Sequence, residues 1–307
     1  MNTFAAELRP IVDRMPPRPN PYADIGETRR TFRALVARSE RADPRITVDD
    51  LVASNVPVRR YQPTVRNEST RPIVVYMHGG GFAYGGAADA VMAASRLVPE
   101  LGATVISVEY RLAPEAPFPA GFDDCYAAFL WTAENAEALG CDPQRLAVMG
   151  PSAGGCLAAA TALRARDESG PPIAFQCLQI PALDDRRESH SARTVEDPRL
   201  INASGARRTW DIYLGSARAA VSAYAAPLRA ENLAGLPPAY IQTCEIDPYR
   251  DDGIEYARRL LEAGVSTELY NVPGAFHAFE LFAPESRLAR DTRDHWISAV
   301  RRALGDG

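Results

Sequence analysis

The segment Gly150-Pro151-Ser152-Ala153-Gly154-Gly155 decides the fold. It has the G-x-S-x-G form of a tight turn between a strand and a helix, which lifts a serine hydroxyl above the edge of a sheet. The flanking sequence agrees, because residues 145–149 have the pattern of a strand and residues 153–164 are alanine-rich and helical in pattern. A serine held in such a turn is a candidate nucleophile, so the segment predicts an α/β sheet with covalent chemistry centred on Ser152.

A second glycine-rich segment, Met77-His78-Gly79-Gly80-Gly81-Phe82, lies earlier in the chain. It follows the continuous apolar run 72–77, which is typical of a strand buried on both faces. A His-Gly-Gly-Gly loop in this place aims backbone N–H groups at an oxyanion. A nucleophile and an oxyanion hole are the parts that acyl transfer needs most, so the two segments together predict an ester-cleaving enzyme.

Most of the chain after residue 50 alternates between strand and helix patterns. Alternating βα units imply a parallel sheet with helices on both faces, which is the α/β class of fold. The expected strands cover residues 56–61, 72–77, 103–108, 145–149, 173–180, 239–243 and 267–272, and the expected helices cover 88–101, 122–139, 153–164 and 285–304.

The first fifty residues are helical in pattern. Phe4, Leu8 and Ile11 fall on one face of a first helix, which the proline-rich stretch 16–21 ends before a second helical stretch begins. These apolar faces must be buried against another part of the molecule. We expect residues 1–45 to be the N-terminal part of a helical cap that selects substrates and is not needed for folding of the sheet.

Residues 184–224 are too long for a simple connection and have no strand pattern. We expect them to be an insertion that completes the cap, with a helix near residues 204–214. The catalytic domain then spans residues 46–307 and carries the cap insertion at about 184–224. The apolar cluster of Trp210 and Tyr213 favours packing inside the cap over contact with a substrate.

The net charge, the apolar runs and the cysteine spacing argue against several classes of function. The formal charge of −5 argues against a nucleic-acid partner, and no apolar run is long enough to span a membrane. Glu7 and Arg9 interrupt the N-terminal stretch where a signal peptide needs an apolar run, so we expect a cytoplasmic protein. The cysteines have no CxxC spacing, which predicts reduced, buried thiols and neither a disulfide framework nor a metal site. They are Cys125, Cys141, Cys156, Cys177 and Cys244.

Ser152 needs a histidine as its base, and the chain has four. His78 belongs to the glycine loop, where tying down the loop is the expected role. His190 lies in the expected cap, and His295 lies within the last helix at a surface or packing position. His277 follows the last strand and is expected at the same sheet edge as the serine turn, so we predict that His277 is the base.

The acid that orients this histidine is predicted to be Asp247. It follows the strand 239–243, and Pro248 fixes a turn that leaves the carboxyl at the C-terminal edge of the sheet. Asp184 and Asp185 follow an earlier strand and are the main alternatives. The chain order Ser152, Asp247, His277 is the one found in α/β-hydrolases.

At these residues the chain resembles the hormone-sensitive-lipase branch of the α/β-hydrolases, a group rich in bacterial carboxylesterases. The resemblance implies a cofactor-free carboxylic ester hydrolase with an N-terminal-plus-insert cap and a preference for short to medium acyl chains. It further implies that the backbone N–H groups of Gly80, Gly81 and Ala153 form the oxyanion hole. The resemblance extends from about residue 58 to the C-terminus and rests on residues 77–82, 108–115, 150–155, 236–239, Asp247-Pro248 and His277.

Two positions depart from the family pattern. Pro151 stands where the family usually has aspartate, and Ala278 stands where it often has glycine. The resemblance also leaves other functions open, namely a non-catalytic binder of small molecules, like the plant hormone receptors that resemble this branch, and amide hydrolysis or acyl transfer at the same site. A small-molecule ester is the expected partner. The sequence does not decide the oligomeric state, with a homodimer as one option.

Overall fold

The computed structural model describes residues 3–18, 20–37, 43–65 and 70–305. Parts of the expected N-terminal cap segment, namely residues 1, 2, 19 and 38–42, therefore lie outside the described residues. The described strands form a single sheet. They are β1 Ile46–Ala53, β2 Val56–Pro63, β3 Arg71–Met77, β4 Thr104–Val108, β5 Cys141–Pro151, β6 Phe175–Gln179, β7 Ala239–Ile246 and β8 Thr267–Phe276.

The strands lie in the order β1-β2-β4-β3-β5-β6-β7-β8. The pairings of β1 with β2 and of β2 with β4 are antiparallel, and the remaining six strands pair in parallel. Every residue of β3, β4 and β6 is buried, as expected of parallel strands covered on both faces. The carboxyl ends of β5, β7 and β8 therefore meet at one edge of the sheet.

Helices cover both faces of the sheet. They are α1 Arg9–Val12, α2 Ile25–Ala37, α3 Val91–Leu101, α4 Ala120–Glu134, α5 Ala153–Asp167, α6 His190–Thr194, α7 Ala203–Leu214, α8 Arg250–Glu262, α9 Phe279–Phe282 and α10 Arg287–Leu304. Helices α4, α5 and α8 bury their apolar residues in one core cluster, and α3 and α10 bury theirs in a second cluster on the opposite face. This arrangement confirms the predicted α/β fold with helices on both faces of a mostly parallel sheet.

Strand β1 was not expected, because the first fifty residues have a helical pattern. It is an edge strand that pairs only with β2, and Val48 and Val52 on it are exposed. Its two central residues are acidic, which hides the strand pattern. Their charge is balanced across the pair, since Asp49 and Asp50 form ion pairs with arginines at the opposite positions of β2.

The N-terminal residues divide between two places in the fold. The first predicted helix is a single turn, α1, but Leu8 and Val12 are fully buried in a cluster with the end of β8 and α9. The Ala5 N–H donates to the Gly274 carbonyl at 3.0 Å. Helix α2, in contrast, lies near the serine turn. Among the described residues, none of the helices combines the length and apolar character that a membrane crossing requires.

Candidate active site

Ser152 lies at the turn between β5 and α5. Its backbone has φ 56° and ψ −117°, which is strained for a residue with a side chain. The turn is held because the Ser152 N–H donates to the Gln179 carbonyl at 2.8 Å, at the end of the neighbouring β6. Close packing of backbone explains the glycines, since a Cβ on Gly154 would overlap the carbonyl oxygen of Met77 at the end of β3.

The structure brings Ser152, His277 and Asp247 into one hydrogen-bonded chain. His277 Nε2 lies 2.9 Å from Ser152 Oγ, and His277 Nδ1 lies 2.7 Å from Asp247 Oδ2. His277 and Asp247 are both buried. The other carboxyl oxygen, Asp247 Oδ1, accepts from the Tyr249 N–H at 2.9 Å in the turn after β7.

This geometry defines the protonation pattern of the ring. A carboxylate only accepts hydrogen bonds, so His277 Nδ1 carries the proton that faces Asp247. His277 Nε2 is then unprotonated and accepts from the Ser152 hydroxyl. A nitrogen lone pair aimed at a serine hydroxyl is the arrangement that activates serine for attack on a carbonyl.

The glycine loop after β3 lies beside Ser152. Gly80 and Gly81 have φ of 111° and 56°, and both line the same cleft as Ser152. The backbone N–H groups of Gly80, Gly81 and Ala153 donate to no protein acceptor in the part of the chain that the structure describes. Ala153 is also the first residue of α5, whose N-terminus favours negative charge. The three N–H groups are therefore available to an anionic oxygen.

The other histidines do not approach Ser152. His78 is fully buried under the loop, where its Nδ1 lies 2.7 Å from the Gly79 carbonyl and its ring stacks on Tyr110. Burial lowers the pKa of His78 to about 4, so its ring is neutral at physiological pH. His190 is exposed on α6, and His295 is exposed on α10, where it stacks on Tyr270.

The two carboxyls considered as alternatives to Asp247 form ion pairs with arginines. Asp184 pairs with Arg186, and Asp185 pairs with Arg229, both at the start of the insertion after β6. Neither hydrogen-bonds to His277.

The two departures from the family pattern both lie in the cleft. Pro151 ends β5, and its ring and carbonyl face Gly79 of the glycine loop. Ala278 has φ 59° and ψ 27°, in the left-handed region that favours glycine. The family preference for glycine at this position therefore has a backbone reason, and the present chain carries the strain of an alanine there.

Residues from both expected cap segments line the cleft. Phe32 and Val36 come from α2, and Ile201 and Thr209 come from the insertion. Trp210 and Tyr213 do not line it. They are buried, and the Tyr213 ring stacks on Phe82 at 3.6 Å, in agreement with the packing role favoured from sequence.

A hydrogen bond between the cap segments was missed from sequence. The Tyr22 hydroxyl lies 2.5 Å from Thr209 Oγ1, and Thr209 Oγ1 also donates to the Gly205 carbonyl. Because Thr209 has one hydroxyl proton, Tyr22 is the donor in their shared hydrogen bond. A Cβ on Gly81 would lie 2.6 Å from the Tyr22 hydroxyl, so Tyr22 fills the space beside this glycine of the loop. An isolated tyrosine in a proline-rich stretch gives no sequence signal of such a role.

Comparisons with known proteins identify the family of the chain. A family model described as alpha/beta hydrolase fold matches residues 74–281, which is more than half of the chain. The chain belongs to the α/β-hydrolase family. It is 41% identical over 259 residues to carboxylesterase NlhH of Mycobacterium tuberculosis, covering 82% of this chain and 79% of that protein. It is 38% identical over 307 residues to esterase LipI of the same organism, covering 97% and 94%.

A solved structure of bacterial heroin esterase superposes with a TM-score of 0.93 at 41% identity, covering 99% of both chains. The predicted resemblance to the hormone-sensitive-lipase branch is confirmed by these matches. The predicted enzyme class is confirmed as well, because the relatives and the structural neighbour are carboxylesterases and esterases. This α/β-hydrolase is a serine carboxylesterase.

Proposed function

We propose that this carboxylesterase hydrolyses small esters of short- to medium-chain acids through an acyl-enzyme on Ser152. The hydrogen-bonded chain from Ser152 through His277 to Asp247 carries the proposal. In the first step Ser152 Oγ attacks the ester carbonyl, and its proton moves to His277 Nε2. The tetrahedral intermediate collapses as the leaving alcohol takes that proton, which leaves the acyl group on Ser152.

Water completes the cycle. His277 Nε2 removes a proton from a water molecule, which attacks the acyl carbonyl. The bond from the acyl carbon to Ser152 Oγ then breaks, Oγ takes the proton from His277 Nε2, and the acid is released. Asp247 holds the ring in the tautomer described above and stabilises the imidazolium formed in each half-reaction. Throughout, the N–H groups of Gly80, Gly81 and Ala153 hold the oxyanion. A single such donor contributes on the order of 10²–10³ in turnover in a well-studied serine hydrolase.

We also propose that residues 1–45 and 184–224 form a cap over the catalytic domain. Helix α2 and the insertion each supply apolar residues to the cleft, which supports a role of residues 1–45 and 184–224 in selecting substrates. The burial of Leu8 and Val12 supports a role of residues 3–15 in stabilising the sheet as well.

The complete hydrogen-bonded chain argues against a non-catalytic binder, because loss of turnover usually accompanies loss of one of these groups. Amide hydrolysis and acyl transfer use the same groups, so an aryl amide belongs in the assay.

We also propose a cytoplasmic location. Its support is that the five cysteines are all free and buried, as expected in a reducing compartment. A homodimer stays a prediction, which the solution mass of the purified protein would test.

The test is a p-nitrophenyl ester series of graded acyl length, with an aryl amide alongside, on wild type and Ser152→Ala. Loss of the nucleophile typically lowers turnover on the order of a million-fold. Ser95→Ala is a matched control, because Ser95 is exposed on α3 and its hydroxyl donates to the Met92 carbonyl of the same segment. A Ser152→Ala protein that folds and keeps a tenth of wild-type turnover would refute the assignment.

A further inference from the structure

One end of the cleft is polar. It extends from Ser152 to the face of the sheet covered by α3 and α10, where Tyr76, Gln179, Glu280 and Arg293 line it beside Trp296. Tyr76 and Trp296 belong to the core cluster of that face.

These four polar side chains lie close to one another. Glu280 Oε2 accepts from the Gln242 amide at 3.2 Å, and Gln242 is the pairing partner of Gln179 in the neighbouring strand. Glu280 interacts electrostatically with both Tyr76 and Arg293. They therefore form one cluster, which we call the polar end.

The protein leaves hydrogen-bonding capacity unused in this cluster. Within the described residues, the Tyr76 hydroxyl, the Gln179 side-chain amide and Glu280 Oε1 have no protein partner, and the Arg293 guanidinium makes one bond, to the Pro284 carbonyl at 2.6 Å. These groups face the cleft, so a bound substrate can supply their hydrogen-bond partners.

The charges and hydrogen-bond donors of the polar end indicate which kind of ligand it can bind. Arg18 and Arg293 give the cleft two positive charges, and Asp89 and Glu280 supply two carboxyls, so the formal charges cancel. An anion beside Arg293 would face Glu280, and a cation beside Glu280 would face Arg293. Burial raises the pKa of Glu280 to about 7, so near neutral pH both forms of its carboxyl are present. The ionised form balances the charge of Arg293, and the protonated form can donate a hydrogen bond, as the other three side chains can.

We propose that the polar end binds an uncharged acceptor oxygen of the substrate, such as a keto oxygen, a few bonds from the scissile ester. This inference rests on the proposed esterase function and narrows its substrate class. An ester with such an oxygen gains hydrogen bonds that a plain alkyl ester lacks, and the alkyl ester leaves the polar groups unpaired on binding.

The experiment compares matched substrates that differ by one CH₂ replaced by C=O. The acyl arm uses p-nitrophenyl 4-oxopentanoate against p-nitrophenyl pentanoate, and the alcohol arm uses 4-oxopentyl acetate against pentyl acetate. Each ratio of kcat/KM is divided by the ratio for hydroxide-catalysed hydrolysis, which removes the intrinsic reactivity of the esters. The arm that responds identifies which half of the substrate enters the polar end.

In wild type we expect the corrected ratio to exceed one by roughly threefold to tenfold in one arm, as expected for one net hydrogen bond. Glu280→Leu and Tyr76→Phe should each lower that ratio toward one. Glu137→Leu is the control, because Glu137 is exposed in the turn after α4 and does not line the cleft, and its ratio should equal that of wild type. Tyr76→Phe removes only a hydroxyl. If Glu280→Leu does not fold, the ratio of Tyr76→Phe alone still tests the inference.

A corrected ratio near one in both arms of wild type overturns the inference, as does a ratio that neither variant changes. These outcomes differ from failure of the proposed function, in which wild type would hydrolyse none of the four esters.

Discussion

The sheet edge around Ser152 and the cap above it are built by different kinds of contact. At the sheet edge, backbone approaches backbone, since Gly150 and Gly154 both lie against the Met77 carbonyl. In the cap, side-chain ends make the connections. Tyr22 reaches Thr209, and Arg29 of α2 pairs with Glu115 at 2.7 Å.

This difference determines what each region tolerates. Backbone packing fixes residue types, because no side chain fits where two chain segments touch. Contacts between side-chain ends tolerate many residue types and contribute about 1 kcal/mol each. Substitutions at the sheet edge should therefore have large effects on chemistry or folding, and substitutions in the cap should have small effects that concern substrate choice.

The largest expected effect separates a carboxyl at the sheet edge from one in the insertion. Asp247→Asn should lower kcat about ten-thousand-fold, because an amide facing His277 Nδ1 favours the wrong ring tautomer. Asp185→Asn should keep near-normal kcat, since Asp185 bonds to Arg229 and not to His277. Steady-state kinetics on p-nitrophenyl acetate measures both. If Asp185→Asn were the more damaging change, the assignment of the acid would be wrong.

The next effect concerns two glycines, each near the start of a helix. Gly154→Ala places a methyl group against the Met77 carbonyl and should cost about 1–3 kcal/mol of unfolding free energy. Gly205→Ala in α7 meets nothing closer than 3.6 Å and should stabilise the helix by roughly 0.5–1 kcal/mol. Urea denaturation of the two variants gives the comparison. Equal destabilisation by both would show that the cap is packed as tightly as the sheet edge.

The same difference explains what the sequence could predict. The turn at Ser152 and the loop at Gly80 and Gly81 are visible because backbone packing and N–H exposure require glycines at fixed spacing. His277 and Asp247 follow from strand order, since the carboxyl ends of parallel strands share one edge. The central strands were visible as apolar runs.

Contacts between side chains that are far apart in the sequence leave no such pattern in the sequence. The bond from Tyr22 to Thr209 joins residues 187 positions apart, and neither residue type signals it. Glu280 follows His277 in a short helix, and only the fold shows that it lies in a cleft with Arg293. Strand β1 was not predicted from the sequence because it is an edge strand with little apolar surface to bury. Its central residues are charged, so it lacks the apolar pattern of a strand.

A smaller effect tests the connection between the cap segments. Tyr22→Phe and Thr209→Val each remove one hydroxyl of the 2.5 Å hydrogen bond. A double-mutant cycle on unfolding free energy should give a coupling of about 1 kcal/mol. Because the Tyr22 hydroxyl lies against Gly81, both variants should also lower kcat/KM a few-fold. Strictly additive effects of the two substitutions would mean that the cap segments are held together by other contacts.

The last effect is a change in the pH dependence of stability, which is confined to a window of pH. The pKa of Glu280 is raised by burial to about 7, above its ordinary value of 4.5. Between these values the folded protein holds a proton that the unfolded chain releases, so Glu280 makes stability fall as the pH rises from 4.5 to 7. Glu280→Gln has no such proton. Each pKa unit corresponds to about 1.4 kcal/mol, and 1 kcal/mol corresponds to about 2–4 °C, so the Tm of this variant should fall less than that of wild type across this window, by several degrees or more. Glu285→Gln, altered at an exposed carboxyl, should follow wild type throughout.

Parallel Tm curves for wild type and Glu280→Gln would show that the carboxyl at the polar end is ionised in the folded protein over the whole range. It would then act there as a hydrogen-bond acceptor.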